Sequence, residues 1–287
     1  MLVLCVFFAF LGAASNATGT VLQRKAALAV PPEDALRPRL FIDMVRQPIW
    51  VLGICGVAGA ALFQALALVT GPLALAQPVF ILELPLALLI SLPVLHRSLP
   101  VSGWIAVGVM VSGLVIALAC AAPSGGNTQA SMARWIPAVA LCAGAVVLAV
   151  MSARHRPSGA ARAALLGTSA AVANALTAAL MKSAADTFSS HGFEAFLRAW
   201  QTYGFALFGV LAVFLLENAL QAGPIAASQP ALTLGDAVVS LALGIIVYSE
   251  HVRTGLWLLP EFGGVALVVV GTLYLSRAVP LTRELAN

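Results

Sequence analysis

The chain has 287 residues, of which 61% are hydrophobic and only 9% charged, at a mean hydropathy of +1.00. A water-soluble domain carries about a quarter of its residues charged, so a water-facing globular fold is excluded and the expected solvent is the lipid bilayer. The net charge of +4 does not point to nucleic acid, because the basic residues fall almost wholly between apolar runs, where they set topology.

Apolar runs of about 20 residues mark membrane-crossing helices. Nine are expected, at roughly 2–24, 48–70, 72–95, 101–122, 134–153, 162–185, 201–221, 224–248 and 255–276. Met1 to Ala14 has the apolar core of a signal peptide but lacks the positively charged start, so it is kept as the first span. Strands are not expected, since the runs are long and rich in Ala and Leu without two-residue alternation. Trp50, Trp104, Trp135, Trp200 and Trp257 each fall at or beside the start of a span, where indoles favour the headgroup level. Cys5, Cys55, Cys120 and Cys142 lie inside apolar segments without metal-ligand spacing, so they are read as small hydrophobes.

Basic residues segregate by side. The side that holds the even-numbered span starts and the C-terminus carries Arg24, Lys25, Arg37, Arg39, Arg46, Arg97, Arg154, Arg156, Arg162, Arg277 and Arg283. The other side carries Arg134, Lys182, Arg198 and Arg253. The positive-inside rule then places the N-terminus outside and the C-terminus in the cytoplasm of a cell (inner) membrane protein.

The chain also repeats itself. Gly71-Pro72-Leu-Ala-Leu-Ala-Gln77-Pro78 returns as Gly223-Pro224-Ile-Ala-Ala-Ser-Gln229-Pro230, an offset of 152. Asn16 to Ala27 returns as Asn174 to Ala185 at an offset of 158, with Arg24 opposite Lys182. The first span therefore matches the sixth and the third matches the eighth. An odd displacement reverses direction in the membrane. The expected fold is all-α: residues 1–122 form a first four-helix repeat, 134–153 a linking helix, 162–276 an inverted second repeat and 277–287 a short cytoplasmic tail. Inverted repeats with a site at their interface are the usual plan of secondary transporters.

A carboxylate at mid-depth is costly and is a functional candidate by default. Glu83 and Asp236 stand eleven and twelve residues beyond Pro72 and Pro224, roughly 17 Å into a core roughly 30 Å thick. Gln229, Thr233, Asp236 and Ser240 share one helix face. Glu83 has no such stripe and is read either as a site residue or as a paired packing group. Gln77 and Gln229 precede prolines six residues inside their helices, where a mild kink is expected, and either bond within the bundle or meet solute. Asn16 and Asn174 are mid-helix in repeat partners and are read as interhelical bridges or site groups. Gly12, Gly19, Gly56, Gly59, Gly108, Gly113, Gly263 and Gly264 are read as small faces for close helix contact. No nucleotide loop, nucleophile elbow or zinc motif is present in the sequence, so neither an enzyme nor a cofactor is expected.

The stretch Asn16-Ala-Thr-Gly-Thr-Val-Leu-Gln-Arg-Lys25, the paired Gly-Pro-xxxx-Gln-Pro turns and the junction Tyr248-Ser-Glu250-His-Val-Arg253 resemble the drug/metabolite transporter superfamily. The nine-span, N-outside plan is most similar to its NIPA-type, magnesium-transporter-like branch, next to the ten-span EamA exporters. The resemblance implies a secondary carrier with a midplane cavity and leaves the substrate open; the leading expectation is a small metabolite or drug-like solute, with proton coupling through Asp236 or Glu83. A divalent-cation (Mg²⁺) carrier is the alternative within that class. A non-transporting membrane scaffold or partner protein is the alternative outside it. The first span carries no acid, which departs from the superfamily's multidrug carriers.

Overall fold

The computed structural model describes residues 1–28, 47–94 and 100–278. Apart from one isolated bridge, its regular structure is helical, as a lipid-solvated chain requires when every backbone polar group must be satisfied within its own segment. The helices are α1 (Leu2–Leu28), α2 (Pro48–Thr70), α3 (Leu73–Val79), α4 (Glu83–Val94), α5 (Val101–Ala121), α6 (Met132–Arg154), α7 (Ala160–Arg198), α8 (Trp200–Ala222), α9 (Ile225–Ile246) and α10 (Leu258–Ala278). A 3₁₀ turn, Phe80–Leu82, joins α3 to α4, so these two make one broken span. Among the described residues, nine spans are long and apolar enough to cross a membrane.

Proline sets where several of these helices begin. Pro48 occupies the first turn of α2, and Pro72, Pro100 and Pro224 are the N-caps of α3, α5 and α9. Its fixed φ suits a helix start and its missing N–H is lost at a position that has no partner anyway. Gly71 and Gly223 cap the preceding helices in extended backbone, so each Gly-Pro pair stops one helix and starts the next.

Three expectations need correction. The sixth span does not stop near residue 185: α7 runs on to Arg198, bending at Gly192, where φ is 81°. Hydroxyls of Thr187 and Ser190 bond back to the carbonyls of Ser183 and Asp186, and glycine accepts the left-handed backbone that a branched residue would resist. The two prolines inside helices of the repeat also differ in effect. Pro230 leaves α9 as one helix, whereas the span holding Pro78 gives way to the 3₁₀ turn immediately after it. Finally, Trp135 is not at a headgroup surface. It is 1% exposed and packs edge-on against Trp200 and Tyr248 at 5.4 and 6.0 Å between ring centroids.

The packing follows one scheme twice. α1 lies on α2 and along α3 and α4, while α7 lies on α8 and α9. The two halves meet where α3 lies against α9 and α7, where α2 lies against α7, and where α5 lies against α10. Gly56 receives the backbone of Gly19, and Gly209 receives Thr177. Thr177 is the residue that matches Gly19 in the sequence repeat, and Gly209 is one position from the match of Gly56. Gly113 and Gly264 meet reciprocally: a Cβ on Gly113 would lie 2.6 Å from the Gly264 carbonyl oxygen, and one on Gly264 would lie 2.7 Å from the Gly113 oxygen. These two are also within one position of being repeat partners. A self-complementary contact of this kind is what a two-fold axis produces. By contrast, Gly108 and Gly263 have nothing within 4 Å of an added Cβ, so among the described residues they meet no other helix.

The core is densest around α7, whose Ala170, Ala173, Leu176, Ala179 and Leu180 are 0–1% exposed and pack with Trp135 and Tyr248.

Candidate functional site

Two carboxylates lie well inside the helices, each opposite an asparagine. Glu83 opens the first turn of α4, just after the 3₁₀ break. Its carboxyl lies beside the Asn16 side chain of α1. Asp236 is in the middle of α9 and faces both Asn174 of α7 and Ser240 one turn on. Its Oδ1 and the Ser240 hydroxyl are nevertheless out of solvent contact and lack a partner at hydrogen-bonding geometry.

These two pairs are related by the repeat. Asn16 matches Asn174, and Glu83 and Asp236 occupy adjacent positions when the Gly-Pro turns are superposed. The two acids need not align residue for residue to find equivalent partners, because the 3₁₀ turn changes the phase of the helix before Glu83. Of the polar face on α9, Asp236 and Ser240 stand one turn apart, while Gln229 and Thr233 are half-buried on the turns before them. Gln77 makes a different contact. It is 2% exposed, its Oε1 accepts from Gln64 Nε2 of α2 at 3.5 Å, and its own Nε2 is buried without a partner.

A second cluster was not legible in the sequence. At the end of the bundle where α7 leaves and α3 begins, Lys182 Nζ is 2.6 Å from Glu250 Oε1, with side chains 4% and 0% exposed. The same carboxylate accepts the backbone N–H groups of Leu73 at 2.6 Å and Ala74 at 2.9 Å. Lys182 also donates to the Gly71 carbonyl at 3.1 Å, and its ammonium sits 4.8 Å above the Tyr248 ring. The Tyr248 hydroxyl donates to the Ala179 carbonyl at 2.5 Å and lies 2.9 Å from Ser183 Oγ. Gly126 and Gly244 leave room for the acid, since a Cβ on either would run into the Glu250 side chain. Arg134 of α6 ties the same loop down through the Val247 carbonyl and the Ser249 hydroxyl.

In the sequence Lys182 stands as a topology charge and as the repeat match of Arg24. The signal available in the sequence was its setting: it follows Ala178-Ala179-Leu180-Met181 and precedes Ser183-Ala184-Ala185, a helical stretch too apolar and small to leave a cation at a wet surface. A buried ammonium requires a partner. That partner is 68 residues away, on a loop.

A cavity of about 320 Å³ opens at this end, lined by Met1, Leu2, Gly71, Pro72, Lys182 and the 124–128 loop. Another, of about 410 Å³, lies beside His191, Glu194 and Arg198. Glu83 and Asp236 line neither.

The protein is thus a multi-pass α-helical membrane protein with paired polar groups inside its apolar bundle. Over 281 residues it is 29% identical to an uncharacterized protein of Corynebacterium glutamicum, an alignment that takes in 96% of this chain and 95% of that protein. No protein-family profile matches the chain, and no solved structure does.

Proposed function

We propose that this protein is a secondary transporter built from two inverted four-helix repeats, of the kind found in the drug/metabolite transporter superfamily. The observation that carries the reading is the pair of carboxylate–asparagine contacts, Glu83 with Asn16 and Asp236 with Asn174. They sit on equivalent helices that enter from opposite faces. The repeated packing of α1 on α2 and α7 on α8, and the reciprocal Gly113–Gly264 contact, support two halves related by an in-plane axis. Rocking one such half against the other exposes a central site to each side in turn. The basic-residue asymmetry supports an N-terminus outside, which puts the Lys182 end at the outer face.

Charge narrows the cargo. Among the described residues Lys182 is a buried cation inside α7, but it is paired with Glu250, and the side chains that Glu83 and Asp236 face are Asn16, Asn174 and Ser240, with no lysine or arginine among them. A site with two acids and no fixed cation is neutralised by something that arrives: a proton, or a positively charged solute. The donor set of carboxylate, amide and hydroxyl oxygens also suits a hard divalent cation such as Mg²⁺ carried with some of its waters, which is the second reading.

The test begins with purified protein screened for thermal stabilisation by Mg²⁺, other divalent cations and a panel of small cationic metabolites, since a ligand of the native state raises apparent stability. Uptake of the stabilising solutes is then measured in proteoliposomes. Asp236→Asn is expected to abolish transport while the variant stays monodisperse in detergent, with Glu83→Gln giving a partial or complete loss. Transport unchanged in both variants overturns the assignment. Effects confined to stability or partner binding point instead to a scaffold.

A further inference from the structure

We infer that Glu250 is the bolt of the outer gate, an inference that rests on the transporter reading above. Few of the bonds at this end cross between the two halves. Lys182 is on α7 and Glu250 follows α9, so both belong to the second repeat. Gly71, Leu73 and Ala74 belong to the first. The ion pair itself joins residues of one half. At the Gly71 junction the contacts that join the halves are the Leu73 and Ala74 amides on Glu250 and the Gly71 carbonyl on Lys182, and farther along the same loop the Arg253 N–H donates to the Ala121 carbonyl at 2.9 Å.

This arrangement suits a gate better than a permanent weld. A buried ion pair that spanned the moving interface would strand two charges each time it parted, and an unpaired buried charge is heavily penalised. Here Lys182 and Glu250 stay together when the halves separate. The pair itself gives up only three hydrogen bonds to backbone groups, beside the single Arg253–Ala121 bond, and the amides and carbonyl it frees turn toward the water-accessible cavity that already reaches Gly71 and Lys182. Net hydrogen-bond contributions of about 1 kcal/mol each are small enough to be exchanged during a transport cycle. The surrounding structure holds the bolt in register: Tyr248 lies under the ammonium and bonds to Ala179 of α7, and Arg134 clamps the loop that carries Glu250. The structure is therefore the outward-closed state.

The chain contains its own reporter. Cys5 of α1 is 0% exposed, lies against Gly71, and is close enough to feel the charges of both Lys182 and Glu250. Separation of α3 from α7 and α9 at this end uncovers it to the outer solution.

The experiment uses the full chain with Cys55→Ala, Cys120→Ala and Cys142→Ala, leaving Cys5 as the single thiol. Intact cells are treated with a membrane-impermeant maleimide and the labelling rate of Cys5 is measured. Slow labelling is expected in this background, and acceleration of about tenfold or more with Glu250→Gln, as the closed population gives way to the open one. Because Glu250→Gln leaves Lys182 without its counter-ion, the double variant Lys182→Met/Glu250→Met is measured in parallel. It removes both buried charges while keeping the volume, and is checked for monodispersity in detergent. Fast labelling in the folded double variant is the expected result. A folded double variant whose Cys5 is as protected as in the background overturns the gate, whether or not it transports. The readout needs no known solute, so an open Cys5 supports the gate even where the proteoliposome assay has refuted transport.

Discussion

The same sequence motif, Gly-Pro-xxxx-Gln-Pro, is used at both ends of the bundle, and the two copies are held by different forces. At Gly71-Pro72 the new helix start is held electrostatically, with Glu250 on its first amides and Lys182 on the glycine carbonyl. At Gly223-Pro224 it is held by backbone contact: the Gly159 N–H donates to the Ala222 carbonyl at 2.7 Å, and Gly159 itself presses on Gly223. The residues that would mirror Glu250 by the repeat, in 94–100, include no Asp or Glu. The motif therefore specifies a turn and a helix start, while the partner of that start is chosen elsewhere in the chain. One end carries a bond that can be exchanged; the other carries a steric fit.

The largest effect should come from removing the electrostatic partner. Glu250→Ala leaves a buried ammonium unpaired and two helix-start amides without an acceptor. Breaking one side of a buried pair costs about 3–5 kcal/mol, so a large fall in the thermal midpoint of the detergent-solubilised protein is expected. Lys182→Met/Glu250→Met should recover most of it. A small effect of Glu250→Ala would mean that the Gly71 end is held sterically after all, and the contrast between the ends would fail.

A smaller effect tests the other end. In Gly223→Ala the new methyl would meet the Gly159 carbonyl oxygen and carbon at 2.5 and 2.6 Å, and neither can swing away because both are backbone. Overpacking of this kind costs about 1–3 kcal/mol. In Gly71→Ala the methyl meets the Cβ and Sγ of Cys5, both at 2.5 Å. Because the obstacle there is a side chain, Cys5→Gly should relieve it, whereas substitution of the side chains around Gly223 should rescue nothing. Both glycines have extended backbone, so alanine is not excluded by φ, and the comparison reads sterics alone. Thermal midpoints of the three variants and the Gly71→Ala/Cys5→Gly pair decide it.

Much of this architecture could be read before the fold was seen, for identifiable reasons. Hydropathy marks the spans because lipid leaves no other solvent for them, and the Gly-Pro pairs fix two boundaries to within a residue or so. Gly19, Gly56, Gly113 and Gly264 were expected to face other helices and do so. Asn16, Asn174, Glu83 and Asp236 were each visible as polar groups in apolar surroundings, but their pairing depends on which helix lies beside which, and that is tertiary information. The 3₁₀ turn after Pro78 was not foreseeable from the proline, since Pro230 in the same motif leaves its helix intact. The extension of α7 was missed because Asp186, Ser189, Ser190 and His191 read as a loop on any polarity scale. The Lys182–Glu250 pair was missed because a lysine near a helix end looks like a topology charge until its burial is known.

The last comparison isolates burial as the cause of the bolt's strength. Arg198 and Glu194 also meet at 2.6 Å, near the end of the same helix that carries Lys182, yet their side chains are 79% and 78% exposed. Geometry alone would rank the two pairs as equals. Water screens the Arg198–Glu194 attraction and solvates either partner when the other is lost, so exposed pairs contribute little. Glu194→Gln is therefore expected to leave the thermal midpoint unchanged within error, under conditions where Glu250→Ala lowers it clearly. A shift in Glu194→Gln as large as that in Glu250→Ala would show that the N···O distance, and not the removal of water, sets the strength of ion pairs at this end, and the electrostatic account of the Gly71 junction would have to be given up.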